Sequence, residues 1–135
     1  MPAGYSGTPL VKKLGIKTDF KLLLVNIPDH YWDLLESLPD NIAEVNSHEK
    51  ADFIHLFVTN QDFLASQIPQ LKEKLATHGM IWISWPKGSS KIPKDLNENN
   101  IRKAGLDAGL VDVKICAVDQ DWSGLKFMYR VKDRK

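Results

Sequence analysis

Three nearly continuous apolar runs restrict what this chain can become: Phe20–Ile27, Asp52–Thr59 and Met80–Trp85. A strand with one wet face alternates polar and apolar residues, and these do not. Their pattern predicts strands buried on both sides, a condition met in parallel sheets covered by helices. Between the runs, apolar residues recur at helical spacing, as in Tyr31, Leu34, Leu35 and Leu38, and again in Leu71 and Leu75. Strands alternating with helices predict an α/β fold with a mainly parallel sheet.

Local signals set the expected boundaries. Thr8-Pro9 has the form of an N-cap with proline at the first helical position, and Gly15 suits the left-handed residue that ends a short helix. Asp29 and Asn60 are expected to cap the next two helices. Pro69 predicts a second helical segment or a kink, with His78-Gly79 closing that element. A short strand is expected around Ala43–Asn46, and Asp95 with Glu98 has capping-box spacing. Val111–Val118 and Leu125–Val131 read as two strands joined by a turn-rich loop, Asp119–Gly124. The whole is an α/β, Rossmann-like three-layer sandwich whose mainly parallel sheet closes with an antiparallel hairpin. It has the outline of a shortened methyltransferase-like fold, about one βα unit short.

The 135 residues suffice for one domain, 1–135, with 1–18 as lead-in and short helix. The single cysteine, Cys116, lies in an apolar run and is expected to be a buried, inert thiol. No signal peptide is evident and no apolar run reaches the roughly 20 residues of a membrane span, so a cytoplasmic protein is expected. The net charge of +1 conceals a gradient: +3 over residues 1–28, −7 over 29–62 and +5 over 63–135. Such asymmetry can steer an anion, whereas no block is dense enough in Lys/Arg with aromatics for nucleic acid. Neither nucleic acid nor membrane is an expected partner; a small anionic ligand or a protein is.

Ligands of open α/β sheets sit outside the carboxyl ends of the strands. There the first strand is followed by Asn26-Ile27-Pro28-Asp29-His30, with no glycine to let backbone approach a cofactor and a proline that lacks an N–H. The ribose-holding acid after the second strand could only be Glu44 or Glu49. S-adenosylmethionine is therefore not an expected cofactor, although a degenerate methyltransferase is the alternative function. The loop Lys87-Gly88-Ser89-Ser90-Lys91 offers two cations and two hydroxyls to an oxyanion, without P-loop spacing. A Ser/His/Asp group can be assembled from Ser89, His30 and Asp119, but no nucleophile elbow accompanies it. His55 falls inside a strand and reads as a satisfied core histidine; no metal spacing links the four histidines and Cys116. Trp122 either packs onto the domain or stands out as a stacking platform.

The motifs Gly4-Tyr5-Ser6-Gly7-Thr8-Pro9-Leu10, Lys12-Lys13-Leu14-Gly15-Ile16, His55–Thr59, Trp82–Lys87, Gly109–Lys114, Ala117–Asp119 and Trp122-Ser123-Gly124-Leu125-Lys126 span nearly the whole chain. In them the sequence resembles a group of small bacterial proteins classed as a domain of unknown function, the group numbered three thousand and fifty-two. That resemblance implies a bacterial single-domain protein and carries no activity to map. Shared loop and cap residues then add Ser6, Thr8, Trp85, Ser123 and Lys126 to the candidates His30, Lys87, Ser89, Ser90, Lys91, Asp119 and Trp122. The function expected is a non-catalytic or regulatory binding module.

Overall fold

A computed structural model describes residues 8–46 and 48–134. In chain order the elements are α1 (Leu10–Leu14), β1 (Lys21–Val25), α2 (Tyr31–Leu35), β2 (Ala43–Glu44), β3 (Ala51–Phe57), α3 (Gln61–Lys74), β4 (Leu75–Pro86), α4 (Glu98–Asp107), β5 (Leu110–Ala117) and β6 (Trp122–Tyr129). They build one six-stranded sheet in the order β2-β1-β3-β4-β6-β5. The first four strands pair in parallel, and β6 runs antiparallel to both β4 and β5. The chain's last strand thus lies inside the sheet, not at its edge.

The apolar runs behave as double-faced strands. Phe53, Ile54, Leu56, Phe57 and Val58 are all fully buried. Alternate residues feed two cores. Ile54, Leu56, Ile81, Ile83 and Leu125 pack with Leu64 and Ile68 of α3 and Ile101 of α4. Phe53, Phe57, Met80 and Trp82 pack with Val11 and Leu14 of α1 and Tyr31 and Leu35 of α2. This is the three-layer sandwich expected, with helices on both faces.

Several boundaries differ from expectation, each for a physical reason. Pro9 takes the N-cap place of α1, with no side-chain cap from Thr8, while Gly15 does adopt the left-handed conformation at φ 86°. The residue before α2 is His30, not Asp29, and it makes no side-chain cap. Pro69 sits within an unbroken α3, whose N-terminus Asn60 caps by accepting from Phe63 N at 2.8 Å. That helix ends at Lys74 and passes straight into β4, so His78-Gly79 is strand. Gly79 is needed there because a β-carbon would stand 2.9 Å from Asp52 O, at the register shift between Ala51 and Phe53. The capping box is Asn97/Asn100; Asp95 instead accepts from Gln61 N at 2.8 Å and holds the start of α3. Trp122, Ser123 and Gly124 belong to β6, which shortens the hairpin loop to 118–121. No helix of the described residues is long and apolar enough to cross a membrane.

Candidate functional site

The carboxyl rim is made by residues 26–30 after β1, 58–60 after β3, 87–97 after β4 and the turn 118–121. Its centre is Asp119. One carboxylate oxygen accepts from the backbone N–H groups of Asp121 and Trp122, at 2.8 and 2.9 Å. The other accepts from His30 Nε2 at 2.7 Å. This contact joins segments 89 residues apart and leaves the His30 side chain half exposed while Asp119 is nearly covered. His30 and Asp119 are thus brought together. No hydrogen bond among the described residues ties Ser89 to them; it stands exposed on its loop, so no Ser/His/Asp relay forms there.

The loop after β4 is folded down onto the same turn. Lys87 N donates to Asp121 O at 2.7 Å, and Ser90 Oγ donates to Asp121 Oδ1 at 3.0 Å. Lys94 Nζ donates to the carbonyls of Ser90 and Ile92. An acid therefore occupies one hydroxyl of the expected oxyanion cradle. Lys87 is partly exposed and Lys91 is exposed.

The tryptophans pack. Trp122 is 8% exposed and meets Phe57 edge-to-face at a centroid distance of 4.9 Å. Trp85 is buried in the core on the opposite face of the sheet. Neither is a stacking platform. Lys126 is not at the rim: it lies opposite Trp82, four residues below the Trp122–Pro86 pair, or about 13 Å down the strand. Thr8 is exposed and precedes Pro9, which lines a groove of about 540 Å³ at the amino end of the sheet with Lys17, Thr18, Glu36 and Leu38. Ser6 lies outside the described residues.

Beneath the rim runs a polar chain that sequence reasoning saw only in part. His55 Nδ1 is 2.9 Å from the Tyr31 hydroxyl and Nε2 is 2.7 Å from Ser84 Oγ, so one ring nitrogen donates and the other accepts. All three groups are buried, and burial lowers the His55 pKa from 6.5 to about 3, keeping it neutral. Burial, with the Glu44 carboxylate adding to it, raises the Tyr31 phenol well above its usual value. The chain is satisfied and sealed, the core-histidine role expected of His55. Tyr31 and Ser84 carried no signal, since they reach His55 from 24 and 29 residues away. Cys116 is half-buried, and burial raises its pKa against the opposing pull of Lys114 and Lys13. No group of three metal-ligating side chains occurs among the described residues.

The turn after β1 is closed by side chains. Asn26 adopts φ 59°, a conformation that glycine takes most easily, and its amide donates to Phe57 O at 3.0 Å across the seam between β1 and β3. Pro28 has no N–H, and its carbonyl accepts from Tyr31 N at 3.0 Å. Glu44 pairs with Leu22, three residues short of the end of β1, which places it about 10 Å below the rim.

Residues 29–131 match a protein family described as "Protein of unknown function (DUF3052)". No curated protein matches the sequence. Among solved structures, the fold is similar to a SAM-dependent methyltransferase from Aquifex aeolicus, at TM-score 0.62 and 13% identity, covering 90% of this chain and 88% of that one. It is also similar to fibrillarin from Aeropyrum pernix, solved with natively bound S-adenosyl-L-methionine, at TM-score 0.59 and 14% identity, covering 93% and 70%. At such identities the likeness establishes a methyltransferase-like Rossmann fold and nothing about activity.

Proposed function

The chain belongs to the DUF3052 family, and from that premise we propose that it is a non-catalytic binding module that keeps a methyltransferase-like fold without the methyl-donor site. The observation that carries this reading is the closed turn after β1. A cofactor lying across strand ends needs bare backbone N–H groups at that turn, which is why such turns are rich in glycine. Here every residue from Asn26 to His30 bears a side chain, and Asn26 spends its amide on Phe57 O. The acid at the end of the second strand stands too low to reach a ribose at the rim. These residues do not fit S-adenosylmethionine.

The rim retains exposed groups suited to recognition. His30, oriented by Asp119, stands with Lys87, Ser89 and Lys91 on the carboxyl side of the sheet. Their chemistry suits a small anionic ligand. Among the described residues the rim shows no assembled nucleophile, which favours binding over covalent catalysis.

Titration calorimetry and thermal unfolding with S-adenosylmethionine and its demethylated product test the reading. Because a ligand that binds only the folded state must stabilise it, binding cannot be silent in the melt. The expected result is no heat and an unchanged Tm at millimolar cofactor. A saturable rise in Tm with either compound would replace the binding module by a small methyltransferase.

A further inference from the structure

Far from the rim, the α1-side face of the sheet carries a group of cations that make no ion pair among the described residues. Lys114 on β5 and Lys126 on β6 are direct cross-strand partners. Like charges placed so destabilise a sheet. Lys114 Nζ reaches α1 and donates to Lys13 O at 3.3 Å. Lys126 Nζ stands 3.9 Å from the point a β-carbon on Gly15 would occupy. Burial lowers the Lys126 pKa, and Lys114 and then Lys17 lower it further. None of the ion pairs among the described residues uses Lys17, Lys114 or Lys126.

We propose that Lys17, Lys114 and Lys126 form an oligophosphate-binding site over Gly15, on the α1 face of the β5–β6 hairpin. Three ammonium groups, none in an ion pair among the described residues, match a multiply charged anion better than a single carboxylate. Gly15, at φ 86°, suits glycine, and a β-carbon there would lie 3.1 Å from Met80 Sδ and 3.9 Å from Lys126 Nζ. Lys17 also borders the groove lined by Val11, Ile16 and Leu38 at the amino end of the sheet, which offers an apolar surface to any organic part of the ligand. The site goes beyond the rim reading and stands whether or not the rim binds anything.

The structure also explains why such lysines would be kept. Half-burying a cation beside two others costs stability, and a cost of this kind is common at functional positions.

The test is titration with inorganic phosphate, pyrophosphate and ATP at low salt, followed by calorimetry and thermal unfolding. Pyrophosphate is expected to bind, with Lys126→Met and Lys114→Gln each weakening it by about tenfold or more, as loss of a charge-assisted contact should. Lys126→Met should also raise the Tm of the free protein, because it removes a half-buried charge from a repulsive group. Lys103→Gln, on α4 at the other face of the sheet, should leave pyrophosphate binding unchanged. Tighter binding of ATP than of pyrophosphate would assign a nucleotide, and equal binding a free oligophosphate; either supports the site. Absence of binding by all three anions, or undiminished binding in folded Lys126→Met, would overturn it.

Discussion

Asp119 and His30 share one hydrogen bond but carry unequal responsibility for the rim. The carboxylate also accepts from two backbone N–H groups of its turn, a buried one of Trp122 and a part-buried one of Asp121. Removing it in Asp119→Ala leaves one buried and one part-buried donor without an acceptor, a loss of about 2–3 kcal/mol. Removing His30 deletes one contact from a half-exposed ring, worth less than about 1 kcal/mol. Urea titration of the two alanine variants should therefore rank Asp119→Ala well below His30→Ala in stability; the reverse order would mean the turn is held by something else. The second prediction concerns His55, whose folded pKa is about 3 against an ordinary 6.5. Between those values the unfolded chain binds a proton that the folded chain refuses. The His55 contribution is thus complete above about pH 6.5 and is lost as pH falls toward 3, at up to about 1.4 kcal/mol per pH unit. Unfolding free energies at pH 7 and pH 5 should fall less steeply in His55→Gln than in the parent. At this scale the sequence was legible where a residue's place on a strand decided its role, as with His55 and with His30 at the carboxyl edge. It was silent about partners that meet only through tertiary contact, such as Tyr31, Ser84 and the Asn26 amide.

Elements were legible in kind and less so at their ends, and the ends reveal which forces are non-local. Asn60 was identifiable because its partner, Phe63 N, is three residues away. Asn60→Ala should lower stability by about 1 kcal/mol, read as a lower urea midpoint with an unchanged slope. Asp95 misled for the opposite reason. It has the chemistry of a cap, but the N–H it accepts from belongs to Gln61, on a helix 34 residues earlier. Gly79 misled likewise. Its glycine character answers the close carbonyls of Ala51 and Asp52, on the neighbouring strand, instead of ending a helix. Where α3 stops, no breaker intervenes: Leu75 simply turns extended and pairs with Ala51. Local propensity cannot announce a boundary that a strand on another part of the chain imposes.

At the scale of the molecule, alternation of apolar runs with helical spacing was enough to give the layers, because burial on two faces leaves few arrangements. The order of the strands was not readable, since it depends on which edges meet after the chain has collapsed. Its main consequence is that β6, the last strand made, lies between β4 and β5. It supplies Trp122 to the core on one face of the sheet and Leu125 and Phe127 to the core on the other. Each of these side chains is worth about 1.5–3 kcal/mol of burial, so together they rival the 5–15 kcal/mol by which a domain of this size is usually stable. Without them β5 also loses its only strand neighbour among the described residues. A chain ending at Asp121 is therefore expected to show no cooperative transition by circular dichroism in urea, although α3 and β1–β4 are all present in it. Adding a peptide of residues 119–135 should restore a cooperative transition, because the vacated position between β4 and β5 has a fixed register for one strand. Cooperative unfolding of the truncated chain alone would show that the parallel half folds independently and that the hairpin is an appendage. Two of the three lysines proposed to hold an oligophosphate, Lys126 and Lys114, straddle this inserted strand and β5. Ligand binding there should then stabilise the one strand on which the whole sheet depends.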